Sequence, residues 1–351
     1  MNDYFKRVYE LTGTKFWINN VTRDEAGLAL EAGAKGCTQN PSYTWKMLTH
    51  PTEHEYARQL LGESLKESES DNEVECILQR KLVKGIADIF LPLYESSHGE
   101  HGYVSIQGDP IHEEDPEVII HEGRLNREMG PNVMIKIPAT RAGLAAMDVL
   151  ISENTPINAT EVMGLSQALD ICRMYERISA KTGKHPKIYY SLITGIYDEY
   201  LAKWVKEQQI GVSPDILYMA GLAIAKKTYQ ITKAKWPDIG FIGGGVRGLQ
   251  HFTEMVGADV CITMNWQGQA EELLKLDQPV VSRFFNPVPE LYTDELMEKV
   301  SEFARAYRIN GMEVQEYEEY GPVEYFRHMF IEAWNNALET IGKERVKIQR
   351  D

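Results

Sequence analysis

The sequence predicts a (β/α)₈ barrel, on three observations. Eight short runs of apolar and β-branched residues recur along the chain, with helix-like stretches between most of them; that alternation favours a parallel sheet. Eight is the number of units that closes such a barrel, which takes roughly 250 residues before insertions. No low-complexity tract or long Pro/Gly/Ser linker divides the 351 residues. The chain therefore reads as one domain spanning 1–351, with a barrel core over about 15–285 and a helical C-terminal extension over 286–351.

In order, the predicted strands are "KFWIN" (15–19), "KGCTQN" (35–40), "YVSIQ" (103–107), "VMIKIPA" (133–139), "PINAT" (156–160), "KIYYSL" (187–192), "IGFIGG" (239–244) and "DVCIT" (259–263). Amphipathic segments such as "TRDEAGLALEAG" and "RAGLAAMDVLIS" supply crossover helices. Residues 44–100 read as two or three inserted helices, and 109–131 as a loop with a short helix. Near the end, "EVQEYEEYGPVEYFRHMF" sets Tyr and Phe among acids. It is predicted as an amphipathic helix packed on the core, closing the barrel or meeting another subunit.

Composition narrows the function classes. A hydrophobic share of 43% is ample for a substantial core, and a formal net charge of −15 argues against broad nucleic-acid binding. Cys37, Cys76, Cys172 and Cys261 are scattered with no CxxC pair, which suits a reduced compartment better than a disulfide framework or a zinc site. There is no secretory h-region in "MNDYFKRVYELTG" and no apolar run near the ~20 residues needed to cross a bilayer. The expectation is a cytoplasmic protein acting on small molecules, without nucleic acid or membrane, and with a homo-oligomer open. His98, His101, His112 and His121 lie in acidic, loop-like sequence without HExxH spacing, so no metal is expected.

Barrel active sites sit at the C-terminal ends of the strands. Asn19, Thr38, Asn40, Gln107, Lys136, Thr160 and Ser191 end six of the predicted strands and would converge on one mouth. Lys136 stands out because its neighbours are Val133, Met134, Ile135 and Ile137. A lysine there either snorkels to the rim or is desolvated to a neutral amine able to attack a carbonyl. Asn265 and Gln267, beside Trp266 in "MNWQGQ", are weaker lining candidates. "GGGVRG" (243–248) matches G-x-G-x-x-G ahead of a predicted helix, "LQHFTEMVGA". Asp259 comes too early to be the acidic partner of a dinucleotide site. The loop after the seventh strand of a barrel is instead a common phosphate position, with Arg247 adding charge; a glycine turn with a solvated arginine is the other reading.

"IKIPAT" followed by "GLAAMDVL" and "INAT" resembles the central segment of transaldolases and is similar to fructose 6-phosphate aldolase, a smaller relative with the same barrel. "GCTQNPS" (36–42) resembles the family's "TTNPS" segment, and the ordered motifs extend over roughly 15–265. The resemblance implies that Lys136 forms a Schiff base with a ketose, that Asn40 and Thr38 meet donor hydroxyls, that Thr160 holds a water for proton transfer, and that Ser191 lines the pocket. It implies no cofactor.

Four positions depart from the family. Asn19 stands where an aspartate is usual, and Gln107 where transaldolases carry a glutamate, although the aldolase relative also has glutamine. Amides position water but do not exchange protons as carboxylates do; Glu161, beside Thr160, is a candidate substitute. Ile196 occupies the place of a phosphate-binding arginine. In the glycine loop Arg247 matches the family's cation and Gly245 replaces its serine, so one anion anchor is kept and one lost. The expected activity is transfer of a three-carbon dihydroxyacetone unit from a ketose, as a sugar phosphate or related anionic sugar, to an aldose. Alternatives are an aldolase releasing dihydroxyacetone and a sugar-binding protein on an enzyme scaffold. A sulfonated sugar and an uncharged polyol also fit the altered anion positions.

Overall fold

Eight parallel strands close into a barrel in the order of the chain, with β8 paired to β1. The structure, a computed structural model, describes residues 2–348. The strands are β1 (Lys15–Asn19), β2 (Gly36–Gln39), β3 (Tyr103–Gln107), β4 (Val133–Pro138), β5 (Ile157–Val162), β6 (Ile188–Leu192), β7 (Gly240–Gly243) and β8 (Cys261–Met264). All eight lie where the apolar runs place them. Three helices, Tyr43–Thr49, His54–Ser64 and Asp71–Ser96, fill the insertion after β2, and Pro116–Arg127 is the helix before β4.

Strand periodicity explains the mouth. Trp17, Tyr103, Met134, Tyr189, Ile242 and Cys261 form a buried cluster apart from the main core. Side chains two residues apart share a strand face. Asn19, Lys136, Ser191 and Thr263 each stand two positions after a member of that cluster, and Gln107 four after Tyr103. They therefore make a polar layer above an apolar plug. Register pairs Gln107 with Lys136, Lys136 with Asn158, and Asn19 with Thr38.

After β4 the chain doubles back at once. Thr140 caps helix Arg141–Ser152 by accepting the Gly143 N–H at 3.0 Å. A Cβ on Gly143 would lie 1.8 Å from the Pro138 carbonyl oxygen, so no larger residue fits without moving the end of the Lys136 strand. Gly143→Ala is expected to destabilise the protein by about 2 kcal/mol or more, read as a lower denaturant midpoint at unchanged slope.

Two stretches differ from the sequence-based expectation. β5 runs to Val162 rather than ending at Thr160, and its pairing with β6 slips by one residue between Ala159 and Val162. The segment "LQHFTEMVGA" forms only a short helix, Gln250–Thr253. Tertiary bonds take over the backbone beyond it: the Val256 carbonyl accepts N–H groups of Arg283 and Phe284, and the Gly257 N–H donates to the Thr14 hydroxyl.

The extension forms helices Glu290–Lys299, Ser301–Tyr307 and Gly321–Ile348. The last crosses the mouth and packs on the inserted helices Tyr43–Thr49 and Asp71–Ser96. Trp334 Nε1 donates to Asn72 at 2.8 Å, and Arg345 Nε to Asp71 at 2.7 Å. Among the described residues no helix is long and apolar enough to cross a membrane, and the four cysteines are buried and free.

Candidate active site

A cavity of about 310 Å³ opens at the C-terminal ends of the strands. Asn19, Thr38, Asn40, Lys136, Thr160, Ser191, Gly245 and Arg247 all line it. Gln107 does not; it lines a small cavity of about 20 Å³ on the other side of Lys136, room for about one water molecule. Lys136 borders both.

Lys136 is 6% exposed. Its Nζ lies 5.8 Å from the ring centre of Phe330, which the C-terminal helix brings over the mouth. Burial pulls the lysine's pKa below the ordinary value, and the charge of Glu161 opposes that pull. The cause is desolvation, which disfavours the ammonium form.

Glu161 owes its position to the irregularity in β5. Strict alternation after Thr160 would turn it to the opposite face. The extra residue of a β-bulge re-aims it, and Glu161 adopts φ 58° although it is not glycine. Such a conformation persists when its surroundings over-determine it. Gln167 does this here, donating to the carbonyls of Glu161 at 3.1 Å and Ala139 at 3.0 Å while accepting the Met163 N–H at 2.8 Å. The Glu161 carboxylate is fully buried and accepts from Gln107 Nε2 at 2.9 Å. Burial raises its pKa, while the Gln107 hydrogen bond, Lys136 and Arg327 draw it back. Behind it, burial and the charge of Glu161 hold Glu113 well above the carboxylate range. Arg327 of the C-terminal helix reaches Glu113 at 3.0 Å and Glu114 at 2.6 Å.

Three polar atoms around Lys136 make no hydrogen bond within the described residues: Thr160 Oγ1, Gln107 Oε1 and Glu161 Oε2. Buried polar atoms are normally satisfied, so these three stand out as unpartnered next to the lysine. The remaining predicted residues are braced by one another. Asn19 donates to Asn265 at 3.0 Å and accepts from Thr38 at 2.9 Å, and the Thr38 hydroxyl also meets Thr263 at 2.7 Å. Asn40 Oδ1 accepts from Asn20 at 2.8 Å and Ser42 Oγ at 2.6 Å, which aims its amide nitrogen elsewhere. Ser191 donates to Asn158 at 2.6 Å.

Sequence reasoning missed several lining residues. Asn20, Ser42 and Lys46 follow predicted positions by a few residues, whereas Phe326, Met329 and Phe330 arrive from the far end of the chain. The aromatic tail segment was a signal for the last group. Arg247 lines the cavity, but its guanidinium is bonded to Glu199. His112 sits on Asp109 at 2.6 Å and His101 on the Tyr9 hydroxyl at 3.2 Å. Among the described residues no group of three or more His, Cys, Asp or Glu side chains is placed to hold a metal ion.

A sequence model of the family described as Transaldolase/Fructose-6-phosphate aldolase matches residues 16–308. The chain is 29% identical over 243 residues to a protein named Transaldolase from Trichodesmium erythraeum, covering 63% of each chain. It is 28% identical over 173 residues to a Transaldolase from Thiobacillus denitrificans, covering 47% of each. It is also 30% identical over 171 residues to Transaldolase 1 of Streptomyces avermitilis, covering 46% of this chain and 44% of that one. The chain thus spans less than two thirds of the length of these curated relatives.

Proposed function

The chain belongs to the transaldolase/fructose-6-phosphate aldolase family, and from that premise we propose that it transfers a dihydroxyacetone unit from a ketose to an aldose through a Schiff base on Lys136. The observation that carries this reading is a buried, desolvated lysine in the mouth cavity of a closed barrel, beside Asn, Thr and Ser side chains. The neutral amine adds to the ketose carbonyl, and loss of water leaves an iminium. A base removes the proton of the C4 hydroxyl, the C3–C4 bond breaks, and its electron pair moves into the iminium to give an enamine. The aldehyde leaves. The enamine carbon then bonds to an acceptor aldehyde, whose oxygen takes up a proton, and water releases the new ketose from Lys136.

Both proton steps need an acid–base group. Asn19 and Gln107 are amides and cannot serve. Glu161 is the carboxylate whose field reaches Lys136, and we assign it that role, acting through a water held with Thr160 and Gln107. Its raised pKa suits a group that must both give and take a proton near neutrality. The amide nitrogen of Asn40 and the hydroxyl of Ser191 would meet substrate hydroxyls, with Asn19 and Thr38 bonded to each other on the β1–β2 side of the cavity.

Borohydride reduction with ketoses, followed by peptide mass analysis, tests the reading. A substrate-sized adduct on Lys136 is the expected result; absence of adducts with every ketose would favour a sugar-binding protein. Release of dihydroxyacetone without acceptor would identify the aldolase reaction instead.

A further inference from the structure

We propose that the aldehyde handled by this site carries no charge: the acceptor is a short neutral aldose, and the ketose is correspondingly unphosphorylated. This rests on the Lys136 reading and adds the substrate class. It departs from the anionic substrate that the sequence resemblance led us to expect.

The loop after β7, a common place for a barrel to hold a phosphate, packs on the loop after β6 to build one wall of the cavity. Here it is filled with hydrocarbon. Ile196 is 2% exposed, and a Cβ on Gly245 would lie 2.7 Å from side-chain carbons of both Ile193 and Ile196. The two loops also meet backbone to backbone, since a Cβ on Gly195 would lie 2.2 Å from the Gly245 carbonyl oxygen. The loops are thus packed directly on one another where they border the cavity.

Three N–H groups of the glycine loop are already engaged, that of Gly244 by the Leu192 carbonyl at 2.9 Å and the other two by a histidine. The N–H groups of Arg247 and Gly248 approach His251 Nδ1 at 3.3 and 3.2 Å, and His251 Nε2 faces Asp198 at 2.8 Å. The Arg247 guanidinium is held by the Glu199 carboxylate, which also accepts the Tyr325 hydroxyl of the C-terminal helix and Lys203 at 3.3 Å. The second cation of the cavity, Lys46, donates to the Asn20 carbonyl at 2.6 Å and lies 3.9 Å from Glu25. Apart from Lys136, each cation lining the cavity among the described residues thus lies within 4 Å of a carboxylate. A phosphate would have to shed its water against isoleucine and face Glu199. Burying a charge without a partner is unfavourable, whereas an uncharged, hydroxylated or deoxygenated end loses little there.

The test runs the reaction as aldol addition, with the full-length chain and dihydroxyacetone as donor. Glyceraldehyde and glyceraldehyde 3-phosphate are compared as acceptors. The expected result is a kcat/KM at least about tenfold higher for glyceraldehyde, the scale of one unpaired charge-assisted hydrogen bond. Glu199→Gln, which releases Arg247, should shift that ratio towards the phosphorylated aldehyde, while Arg247→Ala should not lower it for glyceraldehyde relative to its phosphate. A wild-type preference for glyceraldehyde 3-phosphate that disappears in Arg247→Ala would overturn the proposal. Borohydride trapping with dihydroxyacetone alone separates the two levels. An adduct on Lys136 leaves the lysine chemistry standing whatever the acceptor ratio, whereas no adduct removes that chemistry and this inference together.

Discussion

Lys136→Met is expected to abolish turnover and covalent trapping while leaving the barrel folded. The lost nucleophile is worth about 10⁴-fold or more in rate, as for other residues that form a covalent intermediate. Methionine has nearly the length of lysine and suits a side chain that shares its strand face with buried Met134 and lies under Phe330. Stability should hold or rise. Burial already lowers the pKa of Lys136, so the folded state disfavours the charged form at pH values below the unfolded pKa, and the substitution removes that penalty. Thermal melting, turnover and adduct mass check the three parts separately. Turnover surviving in this variant would take the lysine out of the chemistry.

Glu161→Gln should lower kcat by about 10²–10⁴-fold, the usual contribution of a positioned acid–base group. The Lys136 adduct should still form, because the amine remains. The pH profile gives the sharper reading. The negative charge of Glu161 raises the pKa of Lys136 against the effect of burial. Removing it must lower that pKa further, so the limb on which the amine deprotonates should move to lower pH. A variant with full kcat and an unmoved limb would leave Glu161 as a structural residue, and proton transfer would have to be sought elsewhere.

What could be read beforehand divides along physical lines. The eight strands were legible because buried parallel strands are near-continuous apolar runs. Lys136 was legible because one charge interrupts such a run. Glu161 was visible only as a neighbour of Thr160; its inward aim depends on a bulge held by Gln167, and alternation alone predicts the opposite face. Arg327 and Phe330 reach the site from almost 200 residues beyond Lys136, a distance that no local pattern spans. Lys46 is on a helix just after a recognised motif, but nothing in the spacing says which way a helical lysine points. The glycine loop shows the converse difficulty. Its motif is correct for an anion cradle, yet the partners of its donors, His251 and Glu199, and the Asp198 that faces His251, are identified only by their positions in space.

The bonds from Trp334 to Asn72 and from Arg345 to Asp71 join the final helix to the longest inserted helix. These two additions to the barrel lie more than 200 residues apart in the sequence, yet the bonds fasten them to each other. An engineer grafting this mouth onto a plainer eight-stranded scaffold would have to transplant both pieces. Either piece moved alone would present bare hydrocarbon where its counterpart used to sit, and Phe330 would no longer be held above the amine.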